Sequence, residues 1–118
     1  MIRLATREAI GLAEVLPLAE KGVPIDITGW TFALTLVREM GGPDIELGMA
    51  ATADDEGIWI VDAAGGELQI IILPATIAAF PDTTGDFELF GDLLATRPTD
   101  DRELIDDVLI TVTEGPTE

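Results

Sequence analysis

Apolar side chains alternate with a period of two from Trp30 to Glu39, and this pattern constrains the fold more than any other feature of the sequence. Successive side chains of a β-strand point to opposite faces of the sheet. The large apolar side chains fall on one face, at Trp30, Phe32, Leu34 and Leu36, and the other face carries Thr31, Ala33, Thr35 and Val37. The segment is therefore predicted to be a strand with one face in the core.

Similar short segments recur along the chain and are separated by turn residues roughly every 8 to 12 positions. Strands are predicted at residues 12–18, 45–50, 58–61, 67–73, 87–96 and 102–113. The run 67–73 is apolar on both faces, which is typical of a central strand. Pro74 suits the first position of a helix and Pro81 ends it, so one short helical turn is predicted near 74–80.

These elements predict an all-β fold: a single immunoglobulin-like antiparallel β-sandwich with a Greek key and about seven strands. A partly open barrel is the alternative architecture. Residues 1–118 are interpreted as one domain, in which residues 1–8 form an edge strand or an arm and residues 114–118 form a loose tail.

Two acidic residues in the last predicted strand interrupt its alternation. Asp106 has the same parity as the apolar Leu104 and Val108, so a β-bulge near Asp106 and Asp107 is predicted to restore the register. Across paired strands, Asp92 or Glu88 would approach Asp106 or Asp107, and like charges directly opposite each other are destabilising. A cation or a partner's arginine would relieve this repulsion, but side chains that splay into water are the preferred interpretation.

The chain combines a net charge of −17 with 47% hydrophobic residues. Chains that stay disordered through charge are poor in apolar residues, so this composition predicts a folded domain with an acidic surface. Such a surface repels phosphate backbones and anionic membranes, so no nucleic-acid or membrane partner is expected. Basic surfaces of other proteins are the expected partners.

The sequence contains no Cys, His, Ser, Tyr or Asn. Without Ser, Cys and His, the common nucleophiles and the usual general base are absent, and so are the ligands of structural zinc. A glycosidase pair of carboxylates would still be available, but a domain this small has little room for a sugar groove. We therefore expect a protein that is not an enzyme and has no cofactor.

Asp54, Asp55 and Glu56 form the densest acidic triplet and are candidate ligands for Ca²⁺. Their spacing lacks the alternating ligands and the glycine of a dedicated calcium loop, so a solvated loop is the preferred interpretation and no metal is predicted. A second acidic group is the candidate partner-binding surface: Asp92, Asp100, Asp101, Glu103, Asp106 and Asp107.

Five stretches resemble a family of small virion proteins from tailed phages and prophages. They are residues 25–32, which contain the Asp-Ile-Thr-Gly-Trp segment, residues 66–70, the Pro-Ala-Thr-Ile-Ala-Ala-Phe-Pro turn at 74–81, the Gly-Asp-Phe segment at 85–87 and the run from Asp92 to Thr96. Across residues 12–113 the chain is similar to the immunoglobulin-like N-terminal domain of baseplate upper proteins. The family supplies no catalytic residues.

The resemblance implies a structural component of the virion, in the tail, the neck or associated with the capsid. Such a component would dock in multiple symmetric copies on other virion proteins, and would be found in the virion and, during assembly, in the host cytoplasm. Two alternatives remain: a Ca²⁺-stabilised adhesion or carbohydrate-binding module, and an acidic DNA mimic that inhibits a nucleic-acid enzyme.

Overall fold

The computed structural model describes residues 2–7, 11–38, 44–78, 87–99 and 102–113. Within these ranges the chain forms ten β-strands and one short helix, α1, so the all-β fold class is confirmed. The elements are β1 (Ile2–Arg7), β2 (Leu12–Pro17), β3 (Ala19–Glu20), β4 (Val23–Pro24), β5 (Thr31–Arg38), β6 (Ile45–Leu47), β7 (Gly57–Asp62), β8 (Glu67–Ile72), α1 (Pro74–Ala78), β9 (Phe87–Thr96) and β10 (Arg102–Thr113). The predicted tail, 114–118, lies outside the described residues.

The strands form a five-stranded sheet in the order β1-β10-β9-β5-β6, a three-stranded sheet in the order β2-β8-β7, and the small hairpin β3-β4. Every named pairing is antiparallel except that of β1 with β10, which is parallel. The parallel pair departs from the predicted antiparallel sandwich. Only strands joined by a tight turn must run antiparallel, and β1 is followed along the chain by β2, which belongs to the other sheet.

Both sheets contribute to one hydrophobic core. On β5 the residues Phe32, Leu34 and Leu36 are buried, and the residues between them are exposed, as the alternation predicts. Strand β8 lies between β2 and β7 and is buried on both faces over Ile70–Ile72, which confirms the central strand expected there. This placement keeps its consecutive isoleucines away from a sheet edge.

The predicted β-bulge is present in β10. Leu104 pairs with Leu94 and Asp106 pairs with Leu93, so Ile105 is the extra residue. Ile105 packs against the core, and beyond the bulge the buried positions are Val108, Ile110 and Val112. The bulge therefore lets apolar residues of both parities reach the same core.

The structure has more strands than the predicted seven. Two of the additional strands, β3 and β4, form a hairpin with two residues in each strand, which is too short to show a period-two pattern. In the turn of this hairpin Lys21 and Gly22 both have positive φ angles, of 52° and 81°. Strand β1 occupies the sheet edge within residues 1–8, the segment interpreted as an edge strand or arm. None of the helical segments in the described ranges is long and apolar enough to cross a bilayer.

The Asp-Ile-Thr-Gly-Trp segment forms a tight turn that leads into β5. Asp26 accepts hydrogen bonds at Oδ1 from the Thr28 backbone N–H, at 3.0 Å, and from the Thr28 hydroxyl, at 2.6 Å. Ile27 is buried, and Gly29 has a φ angle of 82°, which glycine adopts without strain. The Arg97 guanidinium lies 5.1 Å from the centre of the Trp30 ring. The Asp-Ile-Thr-Gly-Trp segment, which contributes to the resemblance, is thus a structural turn.

Candidate interaction surface

The five-stranded sheet has one face in the core and one face toward solvent. We call the latter the outer sheet face. Its described side chains include Arg3 on β1, Asp107 and Leu109 on β10, Glu88, Phe90, Asp92 and Leu94 on β9, Thr31, Ala33, Thr35 and Val37 on β5, and Glu46 on β6. A sheet solvated on one face ordinarily carries polar residues there, so the apolar members require a separate explanation.

A row of apolar side chains crosses the outer sheet face. Phe90 on β9 pairs with Val37 of β5 on one side and with Leu109 of β10 on the other. Val37 is 42% exposed, and Phe90 and Leu109 are half-buried. Directly opposed residues on neighbouring strands contact each other, so Val37, Phe90 and Leu109 form a continuous apolar strip. Leu94, also 42% exposed, lies on the same face of β9 but beyond Asp92.

A second row, next to the apolar one, is acidic. Asp92 of β9 pairs directly with Asp107 of β10, and both side chains are exposed. On its other side Asp92 pairs with Thr35, which in turn pairs with Glu46. The predicted approach of Asp92 to Asp107 is therefore present, whereas Glu88 pairs with Thr111. Directly opposed like charges repel each other and favour a cation between them.

Asp106 is the neighbour of this pair but is held differently. Its Oδ1 accepts a hydrogen bond of 2.8 Å from the Asp107 backbone N–H. Asp106 is half-buried beside the bulge, whereas Asp107 is exposed on the outer sheet face. The bulge thus gives the two consecutive aspartates different roles, one bonded locally and one presented to solvent.

Two shallow depressions flank the carboxylate of Asp92. One, of about 290 Å³, lies between β5 and β9, and its lining includes Ala33, Thr35, Val37, Phe90 and Leu94. The other, of about 300 Å³, lies toward β10, and its lining includes Val37, Phe90 and Asp107. Apolar walls and a carboxylate therefore meet in each depression.

Two carboxylates of the Asp54–Glu56 loop accept hydrogen bonds from backbone N–H groups. Asp55 accepts a hydrogen bond of 3.2 Å from the Thr52 backbone N–H, and Glu56 accepts one of 2.9 Å from the Leu73 backbone N–H. The backbone N–H of Asp54 donates to the Thr52 hydroxyl at 3.2 Å. In the part of the chain that the structure describes, no group of three or more acidic residues is arranged to hold a metal ion. The candidate Ca²⁺ ligands are thus neighbours in sequence that do not converge.

Solved structures include structural neighbours of this chain. The chain is similar to the solved N-terminal domain of phage TP901-1 ORF48, with 13% sequence identity and a TM-score of 0.48, over 98% of this chain and 85% of that chain. No protein-family model matches the chain. No curated protein matches it either.

Of the six acidic residues predicted to bind a partner, the structure places Asp92 and Asp107 directly opposite each other, whereas Asp106 pairs with Leu93 at the bulge. Asp100 and Asp101 lie outside the described residues, as does the Glu103 side chain. The apolar strip was not predicted as part of the surface. The sequence does contain an indication of apolar side chains on the outer face. Phe90 and Leu94 are large apolar residues at even-numbered positions of a strand whose core positions are odd-numbered.

Proposed function

We propose that the chain is an immunoglobulin-like structural component of a tailed-phage virion, located in the tail, the neck or on the capsid. It acts without enzymatic chemistry and docks on other virion proteins in several copies. It enters the particle from the host cytoplasm during assembly.

The main observation that supports this proposal is the outer sheet face. An apolar strip of the exposed Val37 and the half-buried Phe90 and Leu109 lies beside an opposed pair of carboxylates on paired strands of the sheet. A contiguous apolar patch rimmed by charge is typical of a protein-binding surface. Rigid strands also present it without an ordering cost on binding.

Two further observations support the proposal. The sequence lacks Cys, His and Ser, so the residues of common covalent and acid–base catalysis are missing. Two of the segments that resemble small tailed-phage virion proteins form a turn and a short helix that shape the fold, at Asp26–Trp30 and Pro74–Ala78. In these two segments the resemblance concerns structural positions, as expected for a structural protein.

Mass spectrometry of purified phage particles tests the proposal. Particles from the phage or lysogen that encodes the chain are purified by density gradient, and the abundance of the chain is measured relative to the major capsid protein. We expect a fixed ratio that corresponds to several copies per particle. Absence of the chain from particles that are otherwise complete would refute a virion role.

A further inference from the structure

We propose that the outer sheet face binds an arginine-bearing segment of a partner protein, with the guanidinium between Asp92 and Asp107 and an apolar neighbour on the strip of Val37, Phe90 and Leu109. The inference names the contact surface of the proposed function and rests on it.

The acidic row indicates that the bound group carries a positive charge. Asp92 and Asp107 are directly opposed and exposed, and Thr35 and Glu46, the rest of their row, carry no positive charge. The exposed Arg3 lies on the same face in the adjacent row, opposite Leu109. The planar guanidinium of arginine donates several hydrogen bonds in a fixed fork, so it can bond two carboxylates at once. A lysine ammonium is a point charge and fits such a pair less well.

The apolar strip indicates that the partner segment also contacts this face through apolar groups. Phe90 pairs across the strands with Val37 and Leu109, in the row adjacent to Asp92 and Asp107. The stem of an arginine packs along apolar surface while its head stays with the carboxylates, and its guanidinium also stacks on aromatic rings. The depressions on either side of Asp92 provide room for such a side chain and for an apolar neighbour.

Charge argues against two other occupants. The chain has a net charge of −17, and a two-fold contact between outer sheet faces would place the carboxylates of Asp92 and Asp107 close to those of the second copy. A phosphate backbone would be repelled for the same reason. A basic protein segment is the occupant that the charge favours.

The first test uses a synthetic peptide that alternates arginine and leucine as the probe. Amide chemical shifts are followed by NMR at low salt, and we expect the largest changes at Val37, Phe90, Asp92 and Asp107. The double variant Asp92→Asn/Asp107→Asn should weaken binding about tenfold. The control Glu20→Gln/Asp54→Asn removes the same charge from exposed positions outside this face and should weaken it much less.

A matched pair of variants tests the apolar strip. Val37→Thr replaces a 42% exposed valine on the outer sheet face, and Val15→Thr replaces a 46% exposed valine on the other sheet. We expect Val37→Thr to weaken peptide binding several-fold and Val15→Thr to leave it unchanged. Equal losses in either matched pair, shifts that map elsewhere, or equal binding of a peptide with lysine in place of arginine would overturn the inference.

A particle experiment separates this inference from the proposed function. The Asp92→Asn/Asp107→Asn variant should be depleted from purified particles relative to the Glu20→Gln/Asp54→Asn control. If both variants enter particles like the wild type, the chain is a virion protein but this face is not its docking surface. If the wild type itself is absent from particles, the proposed function fails, and the peptide experiment alone decides whether the face binds arginine.

Discussion

Asp92 and Asp107 lie directly opposite each other on β9 and β10, with both carboxylates exposed on the outer sheet face. Like charges in this arrangement lower the stability of a sheet. The hydrophobic core does not require them, because their strands are anchored by buried neighbours such as Leu93 and Val108. A pair that is expected to cost stability and serves no packing purpose fits a surface that is kept for binding.

Removal of one of these charges should stabilise the folded chain. We expect Asp107→Asn to raise the free energy of unfolding by about 0.5 kcal/mol at low ionic strength, as measured by urea denaturation. The gain should shrink at about 1 M NaCl, where salt screens the repulsion. Asp54→Asn, in an exposed loop, is the control and should change stability little. An equal gain in both variants would contradict a specific repulsion between Asp92 and Asp107.

Gly91 should be intolerant of any side chain. A Cβ atom at this position would collide with the Thr35 carbonyl oxygen of β5 and would lie 3.0 Å from the Leu36 Cδ2 atom. We expect Gly91→Ala to destabilise the chain by about 2–3 kcal/mol, because strand backbone must move. Gly48→Ala is the matched control, since a Cβ there meets no atom within 4 Å. Thermal and urea denaturation of the two variants should differ clearly, and similar stabilities would contradict the close approach.

The period-two pattern was sufficient to predict most of the sheet elements. Strands β9 and β10 have the predicted bounds, and the parity of Asp106 revealed the bulge. The parallel pairing of β1 was not predictable, because it depends on which sheet the following strand joins. For the candidate surface, the opposition of Asp92 and Asp107 was predictable from strand pairing. The apolar strip was only partly predictable: the parity of Phe90 indicates a side chain that faces away from the core, but the alignment of Phe90 with Val37 and Leu109 requires the register of three strands together.

The Asp54–Glu56 loop should not respond to Ca²⁺. Asp55 and Glu56 accept hydrogen bonds from the backbone N–H groups of Thr52 and Leu73, so coordination would have to break loop contacts. We expect the melting temperature to be the same in about 1 mM Ca²⁺ and in a chelator, a concentration at which extracellular calcium modules are occupied. A rise that is lost in Asp55→Asn/Glu56→Gln would instead favour the Ca²⁺-stabilised adhesion module.

The turn before β5 should show a pH dependence that arises from one carboxyl group. The hydrogen bond from the Thr28 hydroxyl, with a further one from the Thr28 backbone N–H, lowers the pKa of Asp26 below its ordinary value. An Asp with a lowered folded-state pKa adds stability at pH values above its unfolded-state pKa, and this contribution is lost as the pH falls through the folded-state pKa. We expect Thr28→Ala to raise the pKa of Asp26 toward its ordinary value, as measured by NMR titration of the carboxyl carbon.

Thr28→Ser is the control for this titration, because it keeps the hydroxyl and should keep the pKa of Asp26 low. The stability difference between the wild type and Thr28→Ala should be constant above about pH 5 and should narrow in more acidic solution, as Asp26 becomes protonated and the hydroxyl bond loses its charged acceptor. An unchanged Asp26 pKa in Thr28→Ala would mean that the hydroxyl bond is not formed in solution. A stability difference that widens with acid would contradict the sign of the coupling.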